Sequence, residues 1–362
     1  MIRFRKLSGL AVASALLITG CAAPSAGADY AGEVTAVLEA ESLTDDYAYD
    51  DIELAEGEED EIEDEVEVEA PIFWPLTGVV TEYLEERPII GVKIENTGPA
   101  RPQIGLEFAD QVWEIVVEGG ITRFIALYHS FYPTEVGPIR SGRTSDIGVM
   151  TPLNAVLAFS GGYGPAISRI EMYSIQTLAE GRNPGFRRST DRPRPHNVMG
   201  NMQSFVEQAR DDRRVEHQLG LWSTGLEDSS AYLTGEEVNR ISVRVSPAQT
   251  TNWDWDASSS TFLRSDGARA SVANTGERHA ATNVVVAVME QGSFAGVPET
   301  QMMGSGPALI ATAGRVIEGT WEKPTMYRPL RFFDAEGVEV HLAPGQTWYM
   351  LSTASSNNWT LS

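Results

Sequence analysis

Residues 21–71 carry 19 Asp and Glu and not one Lys or Arg, which separates the part of the chain that can build a core from a part that cannot. Like charges at that density repel, and so charged a segment does not bury enough apolar surface to offset the entropy of ordering it. The densest stretch, Glu56 to Glu65, interrupts its carboxylates only at Gly57 and Ile62. Most of the formal charge of −24 resides in this segment: beyond residue 71, 32 acids face 24 Lys and Arg. An ordered fold is therefore expected only from residue 72 onward, and residues 21–71 read as a solvated tether, roughly 165 Å long if fully stretched. A calcium role for the acids lacks the Asp-x-Asp-x-Asp-Gly loop and closing Glu that such a site uses.

Ahead of the tether, Arg3, Arg5 and Lys6 precede an apolar run from Leu10 to Ile18, which ends in Ile18-Thr19-Gly20-Cys21. The run is too short to span a bilayer and has the three-part layout of a cleaved signal over residues 1–20. The small residue before the cysteine resembles a bacterial lipoprotein signal, with the Cys21 thiol as the atom that accepts the lipid. That places the protein on the extracytoplasmic face of the membrane, anchored through Cys21. Cys21 is the sole cysteine. Once it is modified, disulfides, zinc-thiolate sites and cysteine nucleophiles are all excluded, and the fold must be held by its core.

The segment after residue 71 is long enough for two domains. Pro88 to Asn96 reads as a strand, and Val112–Val117 and Ile121–Tyr128 form a hairpin around Gly119-Gly120. The stretch Gly137–Asp146 is expected to lead into a short helix, followed by a strand over Ala155–Ser160, a helix from Ala166 to about Leu178 and another over Met202–Ala209. From Val238 the texture changes to short strands: Arg240–Val245, Trp253–Asp256, Thr261–Arg264, Thr282–Met289, Ala308–Thr312, Arg315–Trp321, Leu330–Asp334, Val338–Leu342 and Gln346–Leu351. The fold class expected is α+β, with a mixed α/β N-terminal domain over residues 72–225 and a β-rich C-terminal domain over 226–362.

Three ordered strings carry a family likeness: A-R-P-Q-I-G-L-E-F-A-D-Q-V-W-E-I-V-V-E-G-G-I-T-R-F-I-A-L-Y (Ala100–Tyr128), G-P-I-R-S-G-R (Gly137–Arg143) and R-P-H-N (Arg194–Asn197). With A-T-N-V-V-V, G-S-G-P-A-L, E-G-T-W-E-K and A-P-G-Q-T-W downstream, the chain resembles the YerB-like lipoprotein family, which carries domain of unknown function 3048. The likeness runs from about residue 73 to 352. It implies a two-domain surface lipoprotein without an established catalytic activity, so no catalytic residue is carried over. Trp113 stands where the family pattern implies a tyrosine, and Met199 where it implies an aromatic.

The candidate ligand-binding residues are Arg101, Glu118, Arg123, Arg140, Ser141, Arg143, His196 and Asn197. Arg140 and Arg143 flank Ser141-Gly142 at an expected helix start, where guanidinium forks, a hydroxyl and free backbone N–H groups can hold a phosphate or carboxylate. Arg123 and Glu118 bracket the glycine turn. The competing use of the same residues is an ion-pair network that locks loops together.

Enzyme chemistry finds less support. Ser160 or Ser141 as nucleophile, with His196 as base and Asp146 or Asp191 as orienter, lacks the G-x-S-x-G elbow. A paired-carboxylate site would have to draw on Asp110, Glu114 and Glu118. His129, His196, His217, His279 and His341 have no metal-ligand spacing, and Gly161-Gly162-Tyr163-Gly164 lacks the G-x-G-x-x-G pattern. No cofactor or metal is expected. Trp253, Trp255, Trp321 and Trp348 fit a β-sheet core better than a sugar-stacking face.

The leading expectation is a non-enzymatic, lipid-anchored envelope protein whose arginines line a groove between its two domains. Its candidate partners are cell-wall polymer, an anionic or glycan ligand, or an envelope protein. An envelope hydrolase acting on peptidoglycan or an attached polymer is the alternative, and a scaffold without a small-molecule site is the third. An acidic chain without a basic stripe is not a nucleic-acid binder.

Overall fold

Strands with apolar residues at consecutive positions form the middle of the structure. The computed structural model describes residues 71–215, 222–353 and 358–362; the signal segment, Cys21 and the tether lie outside them. The central sheet takes from the first half of the fold β1 (Ile90–Glu95), β2 (Gln111–Val116), β3 (Thr122–Tyr128), β4 (Val156–Phe159) and β5 (Gln176–Ala179). A second sheet is built on β6 (Arg240–Ser246), β7 (Gln249–Asp256) and β8 (Thr261–Asp266). The chain then returns to the central sheet with β9 (Asn283–Met289), β10 (Gly304–Thr312), β11 (Arg315–Lys323) and β12 (Thr347–Thr353), and β13 (Trp359–Leu361) pairs with β6.

In space the central order is β11-β10-β9-β12-β2-β3-β1-β4-β5. The joint between the two halves of the chain is the parallel pairing of β12 with β2, register Tyr349 to Trp113. Strands β1, β2, β3, β9 and β12 are buried at every position. Sandwiching explains their near-continuous apolar runs, because neither face meets water.

Alternation along each strand sends side chains to two cores. Ile90, Val92, Ile94, Phe124, Ala126 and Trp348 pack with Ile241, Val243, Trp253 and Phe262 of the second sheet. On the other face, Trp113, Ile115, Ile125, Leu127 and Tyr349 meet α1 (Asp146–Met150), α2 (Gly164–Met172) and Ala231 of a further short helix, Ser230–Thr234. Trp253, Trp321 and Trp348 are all buried, so these tryptophans serve as core. Residues Glu67–Ser362 make up one compact unit.

The fold is strand-rich throughout, and most expected elements are present. The helix expected to run to Leu178 instead stops at Met172: Ser174 takes a positive φ of 59°, and Gln176–Ala179 becomes β5, parallel to β4. Val338–Leu342 forms isolated bridges rather than a strand. The hairpin of Gln291–Phe294 with Val297–Thr300 was not anticipated, since its polar, glycine-containing composition carries little strand signal. Among the described residues no helix is long and apolar enough to cross a membrane.

Candidate functional site

Charged side chains gather where the C-terminal end of β1, the start of β3 and the end of β4 meet three loops. On β1, Lys93 and Glu95 point to the same face as Arg123 of β3, opposite Ile94 and Phe124. Alternation alone would bury them beneath α1, and each has a reason to be there.

Lys93 and Asp146, the first residue of α1, are fully buried and meet at 2.5 Å. The other Asp146 oxygen accepts the Arg143 backbone N–H at 2.8 Å. Burial lowers the Lys93 pKa, Asp146 opposes that shift, and Arg123 and Arg143 add to it. Glu95, also buried, is approached by Arg140 Nε at 3.3 Å, by His196 Nδ1 at 2.8 Å and by the Thr97 hydroxyl at 2.7 Å. Arg143 closes on Glu118 from the glycine turn, with Nη2 to Oε1 at 2.7 Å and Nε at 2.9 Å. Burial raises the Glu118 carboxyl, but the bonds from Arg143 and the charges of Arg143 and Arg123 outweigh it, and its pKa is lowered.

Arg123 differs from these groups. It is only 6 % exposed and donates Nη1 to the Ser141 carbonyl at 3.1 Å. Among the described residues no carboxylate pairs with it. Burial, then Arg143 and Arg140, push its pKa down to about 10 against the opposing charges of Glu118 and Asp146, so it stays charged at neutral pH. Lys93, Arg123, Arg140 and Arg143 thus face Glu95, Glu118 and Asp146, an excess of one cation before His196 is considered.

Sequence reasoning named most of this knot, and the structure divides its list. Glu118, Arg123, Arg140, Ser141, Arg143 and His196 come together. Arg101 lies apart, in a second buried network where it meets Asp266 at 3.0 Å and Asn96. Asn197 bonds to the Ser189 carbonyl and to Arg188, and so shapes its own loop. Lys93 and Glu95 were missed as site residues. The available signal was two charges in strict alternation with Val92 and Ile94 inside a strand that otherwise reads as core.

The nucleophile arrangements do not assemble. Ser160 donates to Glu180 at 2.6 Å, His196 is held by Glu95 and Asp146 by Lys93. The carboxylates of a paired-acid site are equally committed: Glu114 to Arg264 of the second sheet at 3.1 Å, and Asp110 to the backbone of His129 and Ser130. Among the described residues, no three His, Cys, Asp or Glu side chains converge as a metal site.

The ordered strings Ala100–Tyr128, Gly137–Arg143 and Arg194–Asn197 lie within the region that known proteins match. "Putative lipoprotein YerB" of Bacillus subtilis (strain 168) is 26 % identical over 287 residues, covering 76 % of this chain and 84 % of that protein. The crystal structure of the YerB protein from Bacillus subtilis matches with a TM-score of 0.69 at 24 % identity, over 80 % of this chain and 99 % of that one, which shows a shared fold. The N-terminal domain of the protein of unknown function family DUF3048 matches residues 76–216 and its C-terminal domain residues 241–349, so the chain belongs to the DUF3048 family.

Proposed function

We propose that this protein is an extracytoplasmic lipoprotein, anchored through Cys21, that binds an anionic group of a cell-envelope ligand at the Arg123–Arg140–Ser141–Arg143–His196 knot. The observation that carries the reading is Arg123, a buried guanidinium beside two other arginines with no carboxylate of its own. A bound phosphate or carboxylate would supply the missing charge, with Arg140, half-buried and at the rim, as the second fork. The exposed Gly161-Gly162 loop after β4 borders the same loops, since the Gly142 N–H donates to the Gly161 carbonyl at 3.2 Å. An ion-pair lock without a ligand is the second reading. It is favoured by Arg143 on Glu118 and Arg140 on Glu95, which already tie the glycine turn and the 137–146 loop to the sheet.

Thermal shift on residues 22–362 against muropeptides, teichoic-acid fragments, inorganic phosphate and neutral sugars separates the two. A ligand at 100 times its Kd adds about 2.7 kcal/mol. Arg123→Met is expected to abolish that gain while leaving the ligand-free protein as stable or more stable, because it removes a buried charge that has no direct ion-pair partner among the described residues. A flat panel together with a destabilised Arg123→Met protein would establish the lock instead.

A further inference from the structure

On the same face of the central sheet as the knot, α1 borders a second feature: its residues Gly148 and Val149 line a cavity of about 470 Å³. Its floor is Trp113 of β2 stacked on Tyr349 of β12, ring centres 4.0 Å apart and nearly parallel. Trp222, Leu330 and Phe332 complete apolar walls. A mostly apolar cleft of this size with a few fixed polar groups has the dimensions of a small-molecule site.

Two polar groups at this cavity are uncommitted. The Tyr349 hydroxyl belongs to a residue only 7 % exposed, yet it makes no hydrogen bond to another described residue. Its oxygen is not enclosed by protein and so is open to the cavity. At the mouth, the Arg328 side chain has no acidic partner among the described residues, whereas the neighbouring Arg331 is taken by Glu339. The loop that presents Arg328 is held from below: buried Lys323 donates to the carbonyls of Arg328 and Met326. Met326 and Leu330 packed against the core, and the Arg328 N–H on the Thr325 carbonyl, hold the same loop.

We propose that this cavity binds a small amphiphilic anion, an aromatic or aliphatic body carrying one carboxylate or sulfonate. The body lies on the Trp113–Tyr349 floor, and the acid group meets Arg328 at the rim. The Tyr349 hydroxyl offers a hydrogen bond to a polar atom within the body. The knot at Arg123 is a separate site, so either proposal stands without the other.

The test uses residues 22–362 with 8-anilinonaphthalene-1-sulfonate as fluorescent probe, decanoate as competitor and decanol as its uncharged counterpart. One probe molecule is expected to bind per chain and to be displaced by decanoate on the order of 1 mM or below. Arg328→Gln is expected to weaken decanoate about three- to ten-fold and leave decanol unchanged, as loss of a charge-assisted contact predicts. Leu330→Trp, which fills the cavity, removes the probe signal; Arg123→Met changes none of it. Decanol matching decanoate, binding that survives Leu330→Trp, or no displaceable probe overturns the proposal. Should Leu330→Trp fail to fold, Arg328→Gln on the exposed rim decides alone.

Discussion

Two buried histidines govern how this protein meets acid. His129 is enclosed, with Nε2 3.1 Å from the Arg87 carbonyl, and burial and then Arg87 lower its pKa to about 4. His279 lies against Trp348 with Nδ1 3.0 Å from the Ser271 hydroxyl, and burial and then Arg264 bring it to about 3. Each stays neutral in the fold while the unfolded chain binds its proton near pH 6.5, so stability falls as pH drops from 6.5 towards 4. Asp110 works the other way: burial raises its carboxyl to about 6, so the fold holds that proton while the unfolded chain releases it. Between about pH 6 and 4.5, two uptakes against one leave these three groups with a net loss of about 1.4 kcal/mol per pH unit, and Glu107, whose carboxyl burial also raises, opposes it. Urea midpoints at pH 7 and 4.5 measure it, and His279→Gln is expected to flatten the difference. The histidines were visible in the sequence only as scattered residues without ligand spacing, since what enclosed them was decided by segments far along the chain.

At the level of elements, alternation predicted strands well and their ends less well. The hairpin around Gly119-Gly120 was legible because two β-branched runs flank a turn that needs positive φ, which Gly119 and Gly120 adopt at 68° and 72°. The end of α2 was not legible, because Gln176–Ala179 has weak strand character and becomes β5 only by pairing with β4. Close strand approach also sets demands that sequence does not announce. A Cβ on Gly319 would lie 2.0 Å from the Phe333 carbonyl oxygen. Gly319→Ala is therefore expected to push Arg331–Phe333 off β11 at a cost of about 1–3 kcal/mol. Denaturant unfolding measures the cost. Faster hydrogen exchange confined to Arg331–Phe333 and its partners would localise it, and the probe affinity of the cavity should fall too, since Phe332 is one of its walls.

Across the whole molecule, the two family-matched segments contribute strands to one sheet, with β12 inserted in parallel between β9 and β2. Residues 67–215 produced alone would expose the edge of β2 and the apolar faces of Trp113 and Ile115, a template for aggregation. That fragment is expected to be insoluble or molten, and co-expression with residues 222–362 to recover a soluble pair. A sharp, dispersed NMR spectrum from residues 67–215 alone would show the joint to be dispensable. The buried Glu114–Arg264 contact crosses between the sheets at the same place, and Arg264 also meets Asp266 at 2.9 Å. Removing one partner would leave an uncompensated buried charge, so Glu114→Ala is expected to cost about 3–5 kcal/mol in denaturant unfolding.

Apolar and β-branched patterning along the chain was enough to locate most strands, because alternation and turn chemistry act on neighbouring residues. Local sequence was also enough to nominate Arg123, Arg140, Arg143 and His196, whose unusual density beside glycine turns is a local property. Which of these charges are paired depended on the tertiary structure: Glu95 reaches His196 and Arg140, and Lys93 reaches Asp146, only because β1 lies beneath loops 40 to 100 residues away in the chain. The cavity over Trp113 likewise exists only because β12 sets Tyr349 beside it. Contacts between distant segments follow from how sheets pair and layers pack, and nothing in the local sequence encodes that choice by itself.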